Sequence, residues 1–393
     1  MQRVVAAAYL AEGKSIIHDA DPSDDSQAAL KIIEDMGATV EKGDVIEIES
    51  SGIGVESTKL NCGESGLGLR MFSPIASLSE KEVTFDGNGT LKNRPIDFME
   101  EVFPRVDVEC STKNGRIPMK IKGPLKGGKF SFDGTHTSQF LTGLLMALPK
   151  AKEDSIVIVN NLRSKGYVDL TLEVLRDFGV KVSNERYQLF RIEGGQSYRA
   201  KEVHIEGDWS GGAFLLVAGA IAGRVKVKGL TIQSCQPDHA VIEVLEKAGA
   251  DILFSMSSIV SEKNQLKAFE FDATNCPDLF PPLAALAANC KGTSYIKGTH
   301  RLEFKESNRT QTIMEALKKV GIFSKENNDR LIINGGPISS GTIDSKGDHR
   351  IAMMAAILGL NSEGSVKIKN AECVSKSYPA FFDDLASLGA KIS

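Results

Sequence analysis

Apolar and polar positions alternate along the chain in two rhythms. One is an amphipathic helical pattern that ends in glycine. It appears in KIIEDMGATV, stopping at Gly37, in LEVLRDFGVKV at Gly179 and in IEVLEKAGADI at Gly249. MEALKKVGIF stops at Gly321 and FDDLASLGAKI at Gly389. A residue just past a helix must often take a left-handed backbone, which glycine adopts without steric cost, so each segment predicts a helix with a glycine stop and a strand after it. A sixth copy, MEEVFPRVDV, carries Pro104 where the others carry glycine. The stops recur roughly every 70 residues, the mark of an internal repeat.

The second rhythm is apolar all round and rich in small residues. SGLGLRMFSPIASL begins at Ser65, TSQFLTGLLMAL at Thr137 and DWSGGAFLLVAGAIA at Asp208; PDLFPPLAALAA begins at Pro277 and DHRIAMMAAILGL at Asp348. A helix without a polar face belongs inside a core. Most of these segments open on Ser, Thr or Asp, which cap a helix. Helix starts gathered around one space would supply positive potential. VIEIES, KIKGPLKGGKFSF and LIINGG read as strand pairs between the helices. The chain opens with a further small-residue helix, MQRVVAAAYLAEG, whose Arg3 stands one period before Arg70. Its capping turn is expected upstream of Met1, so the first repeat reads as incomplete. With 393 residues and six repeats, two domains of three are predicted, 1–205 and 206–393, joined near GGQSYRAKEVHIEGD.

Composition narrows the function classes. Lys plus Arg number 47 against 51 Asp plus Glu, a net charge of −4. Nucleic acid and membrane surfaces are therefore not indicated as partners. The six cysteines form no CxxC and the six histidines no HExxH, so no metal and no disulfide framework is expected, and a cytoplasmic location is. Against this neutral background RLEFKESNR is locally rich in charge. Arg301, Lys305 and Arg309 are four apart, and on a helix they would share a face. Such a gathering of like charges fits an anionic ligand.

RLEFKESNR, GDHRIAMMAA, NCPDLFPPLAALAA, TSQFLTGLLMALP, LRSKGYVDLTL and CVSKSYPAFFDDL occur along the whole chain. Together they resemble the 5-enolpyruvylshikimate-3-phosphate synthases. The resemblance implies an α/β fold of the enolpyruvyl transferase type, with three βαβαββ units per domain and inward-pointing helix starts. It implies transfer of the enolpyruvyl group of phosphoenolpyruvate to the 5-hydroxyl of shikimate 3-phosphate, with release of phosphate and no metal or organic cofactor. It assigns phosphoenolpyruvate to Gly66, Arg94, Gln139, Arg309, Arg350 and Lys376. It assigns shikimate 3-phosphate to Arg3, Thr137, Ser138, Gln139, Ser164, Tyr167, Asp278 and Lys305. The two small-molecule substrates are the expected partners, and a monomer is expected.

Two proton movements are required, one off the 5-hydroxyl and one onto the methylene carbon of phosphoenolpyruvate. Asp278 is the candidate for the base side, and Glu306, helped by Lys376, for the acid side. His349 reads as a positioning group. The family's glycine at Gly66 also governs response to glyphosate. Its neighbours Glu64 and Leu67 depart from the family's pattern, and neither Glu64 nor His136 receives a role. The lysine and serine that precede the family's first arginine are not found before Arg3, so a non-catalytic anion-binding form is the alternative. A second alternative is the related transferase acting on a UDP-amino sugar, which uses a loop cysteine; Cys62 and Cys110 lie in the first half but in no matching motif.

Overall fold

The computed structural model describes residues 1–135, 138–255 and 258–393. The chain divides into two compact units, Met1–Ile205 and Glu206–Ser393, each with its own hydrophobic core.

One sheet pattern recurs in the first unit. A strand has a parallel neighbour on one side and two antiparallel strands follow on the other. Lys59–Asn61 runs parallel to Glu82–Asp86, which pairs antiparallel with Arg116–Lys122 and through it with Glu109–Lys113. Gly128–Asp133, Ser155–Asn160, Leu189–Ile192 and Val182–Glu185 repeat the order. In the third sheet Ala11–His18 pairs antiparallel with Ile46–Ser51, and through it Thr39–Lys42 joins. The parallel neighbour of Ala11–His18 comes from the end of the unit, as Tyr198–Arg199 and Glu202–His204. In the second unit Glu270–Asp272, Thr293–Lys297, Arg330–Asn334 and Ser324–Asn327 follow the same order. Arg224–Lys228, Ser258–Glu262 and Asp251–Ser255 form a three-stranded antiparallel sheet, and Gly341–Asp344 pairs with Val366–Lys369 in parallel. KIKGPLKGGKFSF is not a strand pair: Arg116–Lys122 and Gly128–Asp133 belong to different sheets, separated by the turn at Gly123–Pro124.

Burial alternates along strands such as Arg116–Lys122, so each sheet puts one face on the core. The apolar helices fill that core. Gln2–Leu10, Gly66–Ala76 and Ser138–Ala147 are almost wholly buried in the first unit. Trp209–Ala222, Phe280–Ala288 and His349–Gly359 are their counterparts in the second. Small residues allow close contact: a Cβ on Gly143 would lie 2.7 Å from the carbonyl oxygens of Arg70 and Met71 on the neighbouring helix.

The glycine stops have positive φ, from +82° at Gly179 and Gly321 to +107° at Gly37. The sixth repeat solves the stop differently. Pro104 lies inside a short 3-10 turn, Phe103–Val106, where a missing N–H costs little, and Asp107 takes the left-handed position at φ +61°. Among the described residues no helix is long and apolar enough to cross a membrane.

Candidate functional site

Three helix starts meet in each unit. In the first, Ser65 caps Gly66–Ala76 by accepting from Gly68 N, and its hydroxyl donates to Gln2 Oε1 at 3.0 Å. Arg70, buried, donates through Nη1 to Gly66 O at 3.1 Å and to Gln139 Oε1 at 3.5 Å, and through Nη2 to Pro95 O at 3.0 Å. Gln139 follows the buried Ser138 at the start of Ser138–Ala147. Arg94 lies directly over Gly66: a Cβ added there would sit 2.1 Å from Arg94 Nη1. Arg3 donates through Nε to Thr171 Oγ1 at 3.0 Å and through Nη2 to Tyr167 O at 3.3 Å. Burial, partly offset by Tyr167, lowers its pKa to about 10. Ser164 holds a left-handed backbone ahead of the helix Lys165–Asp177, which carries Tyr167 and Thr171. Thr137 and His136 lie outside the described residues.

Glu64 gains a physical place. Its Oε2 accepts from Thr90 N at 3.1 Å and from Thr90 Oγ1 at 2.9 Å. That ties the Gly66 turn to the 3-10 segment Gly89–Asn93, which ends at Arg94.

In the second unit the assigned residues form one ionic network. RLEFKESNR is not helical through its length: a 3-10 turn covers Thr299–Arg301, and the helix starts only at Arg309. Arg301, Lys305 and Arg309 therefore do not share a helix face. Chain reversal brings Lys305 and Arg309 together on Asp278. Arg309 is fully buried. It donates through Nη1 to Asp278 Oδ1 at 2.8 Å, through Nη2 to Glu306 Oε2 at 2.7 Å and to Asp348 Oδ1 at 3.1 Å, and through Nε to Asp348 Oδ2 at 2.9 Å. Lys305 Nζ lies 3.2 Å from Asp278 Oδ1, and Lys376 Nζ 3.2 Å from Glu306 Oε1. Arg350 Nη2 lies 3.5 Å from Asp278 Oδ2 and donates to Ser210 Oγ at 2.9 Å. Asp208 caps Trp209–Ala222 and Asp348 caps His349–Gly359, so Ser210 and Arg350 both stand at helix starts.

Four cations, Lys305, Arg309, Arg350 and Lys376, interlock with three carboxylates, Asp278, Glu306 and Asp348, and the carboxylates of Asp208 and Asp238 also act on Arg350. The helix start at His349 adds positive potential. Arg350 Nη1 is buried and has no hydrogen-bond partner among the described residues. A buried guanidinium N–H without a partner among the described residues is a ready anion donor. Burial by itself would raise the Asp278 carboxyl; Arg350, Lys305 and Arg309 outweigh it and hold the group well below the usual carboxylate range.

His349 is buried, and burial, with Arg350 beside it, lowers its pKa to about 3. It is neutral in the folded protein near pH 7, which fits positioning rather than proton carriage. Its unfolded value is about 6.5. A depressed folded pKa means stability is fully present above the unfolded value and is lost as pH falls toward the folded one. Between pH 7 and pH 5 His349 should remove about 2 kcal/mol, a figure set mainly by the unfolded value. Denaturant unfolding of the wild type and His349→Gln at both pH values tests this: the variant should lose less stability on acidification, and equal losses would refute it.

The chain also has matches among known proteins. The family model for EPSP synthase (3-phosphoshikimate 1-carboxyvinyltransferase) matches residues 1–385. The chain belongs to the EPSP synthase family. It has the activity of a 3-phosphoshikimate 1-carboxyvinyltransferase, a transferase of the shikimate pathway. It is 37% identical to the 3-phosphoshikimate 1-carboxyvinyltransferase of Clostridium novyi (strain NT), over 99% of this chain and 93% of that one. Its fold matches EPSP synthase from Acinetobacter baumannii with a TM-score of 0.82, at 27% identity and over 99% and 93% of the two chains. It also matches the enolpyruvyl transferase NikO from Streptomyces tendae, with a TM-score of 0.78 at 18% identity, over 100% and 93%; that likeness concerns the fold. The thiols of the rival transferase reading are unsuited to attack: burial raises Cys62, and raises Cys110 to about 12.

Proposed function

We propose that both clusters bind substrate. Gly66, Arg94, Gln139, Arg309, Arg350 and Lys376 serve phosphoenolpyruvate. Arg3, Thr137, Ser138, Gln139, Ser164, Tyr167, Asp278 and Lys305 serve shikimate 3-phosphate. The observation that carries the reading is the gathering of Lys305, Arg309, Arg350 and Lys376 beside a buried Arg350 Nη1 that has no hydrogen-bond partner among the described residues. Each charge-assisted hydrogen bond to a phosphate or carboxylate contributes on the order of 1.5–3 kcal/mol.

The chemistry follows from the carboxylates. The 5-hydroxyl oxygen bonds to C2 of phosphoenolpyruvate and its proton leaves toward Asp278. In the free protein three cations depress Asp278; once they engage ligand anions, its basicity rises. Glu306, ion-paired with Arg309 and Lys376 in the free protein, first takes up a proton from Lys376 Nζ at 3.2 Å and then gives it to the methylene carbon. The same carbon later returns a proton to Glu306 as the C–O bond to phosphate breaks, which restores the double bond and releases phosphate. None of these steps requires a metal or organic cofactor. Action as a monomer belongs to the same reading. A cytoplasmic setting belongs to the same reading, supported by Cys62, Cys276 and Cys290 as buried thiols.

Phosphate release should require both substrates, and release from phosphoenolpyruvate alone would sink the assignment. Gly66→Ala divides the two ligands. The added methyl displaces Arg94, a flexible side chain, so the fold survives. Loss of one charge-assisted bond predicts a rise of roughly 10- to 100-fold in KM for phosphoenolpyruvate. KM for shikimate 3-phosphate should stay within about threefold. Equal rises for both would remove Gly66 and Arg94 from the phosphoenolpyruvate set.

A further inference from the structure

The first unit carries a second cluster of chemistry, on residues that the transferase reading does not use. Ala11–His18 and Glu202–His204 pair in parallel, and the register sets His18 opposite His204 and Ile16 opposite Glu202. Side chains alternate along a strand, so Glu202 and His204, two apart, project on one face. His18 joins them there from the neighbouring strand. The sequence Glu202-Val203-His204 thus presents two donors on one strand, and parallel pairing adds a third.

Side-chain positions bear this out. Ligand atoms of His18, Glu202 and His204 all lie within 4.8 Å of one another. His18 Nε2 is 2.6 Å from Glu202 Oε1. The two imidazoles stack with centroids 4.3 Å apart and planes 15° from parallel. A fourth group acts behind them: His204 Nδ1 lies 3.0 Å from Asp19 Oδ2. When that nitrogen donates to the carboxylate, the Nε2 lone pair faces away from it, the arrangement by which a carboxylate fixes a metal-binding histidine.

We propose that His18, Glu202 and His204 bind a divalent transition-metal ion of the zinc class, with Asp19 orienting His204. Two imidazoles and one carboxylate make a suitable donor set for such an ion, with water completing the shell. Tetrahedral bonds of ~2.1 Å put ligands ~3.4 Å apart, so the donors must contract. The stacked rings must also open, because their in-plane lone pairs do not converge while the planes are parallel. His204 is 69% exposed at its side chain and Glu202 62%, so both can turn and the ion can enter. The ion would fasten the first strand of the unit to its last. Ile205 N already donates to His18 O at 3.1 Å, which places the fastening at the end of Met1–Ile205.

The test is titration of the full chain with Zn²⁺ by calorimetry and with Co²⁺ by absorbance. One saturable ion per chain is expected. The Co²⁺ spectrum should show d–d bands without the thiolate charge-transfer absorption that cysteine ligands would give. Asp19→Asn should weaken affinity about 10- to 100-fold, and His204→Ala should weaken it more. Zn²⁺ should raise the thermal midpoint of the wild type and not that of His18→Ala/His204→Ala. No saturable binding, equal binding by the double variant, or a thiolate band would overturn the proposal. Asp19 and His204 are exposed and His18 is half-buried, so matching midpoints without metal verify that the variants fold.

Discussion

Glu306→Gln should lower kcat by ~10²- to 10⁴-fold while KM for both substrates changes only a few-fold. Glutamine keeps the volume and one acceptor oxygen, so ligand-binding cations stay near their places. It cannot deliver a proton as a carboxylic acid does. The geometry makes the contrast sharp, because Glu306 Oε2 faces Arg309 Nη2 at 2.7 Å and Oε1 faces Lys376 Nζ at 3.2 Å. An amide satisfies one of these donors with oxygen and turns its own N–H toward the other, which accounts for a modest loss in binding. Steady-state kinetics beside a thermal melt separates catalysis from folding. A variant that folds and turns over near the wild-type rate would reduce Glu306 to an ion-pair partner and remove it from the proton path.

How much of this site could be read in the sequence depended on distance along the chain. Helix stops at Gly37, Gly179, Gly249, Gly321 and Gly389 were legible, because a left-handed stop is a local demand. The resemblance named the cations, but local periodicity misplaced them. Spacing by four put Arg301, Lys305 and Arg309 on a helix, whereas tertiary packing leaves most of that stretch outside regular helix and starts the helix at Arg309. The supporting carboxylates were not legible as such. Asp348 read only as a helix cap; its bidentate hold on Arg309 spans 39 positions. Glu64 meets Thr90 across 26 positions, and Arg70 meets Pro95 O across 25. Nothing within a short window signals such pairs. The histidines were missed for the same reason: His18 and His204 stand 186 residues apart and become neighbours only through strand register.

Asp348→Asn should cost the second unit about 3–5 kcal/mol, a fall of roughly 10 °C in the midpoint of the transition that includes residues 206–393. Asparagine caps a helix as well as aspartate, and its oxygen can still accept from Arg350 N, so the cap is conserved, while the charge and the acceptor facing Arg309 Nε and Ser307 Oγ are lost. That charge faces a guanidinium with no solvent exposure. Asp348 takes two of the hydrogen bonds of Arg309 and a third from Ser307 Oγ at 3.0 Å, and its own side chain is as buried. Without it Arg309 keeps Asp278 and Glu306 as its carboxylate partners and the network is one negative charge poorer. A buried cation deprived of its closest carboxylate costs far more than a surface pair, where solvent screens the loss. The imbalance also has a signature in ligand response. An anion supplies what Asp348 no longer does, so saturating inorganic phosphate should raise the variant's midpoint more than the wild type's, by linkage between binding and folding. A midpoint within about 2 °C of the wild type, or an equal phosphate response in both proteins, would show that Asp278 and Glu306 suffice to hold Arg309.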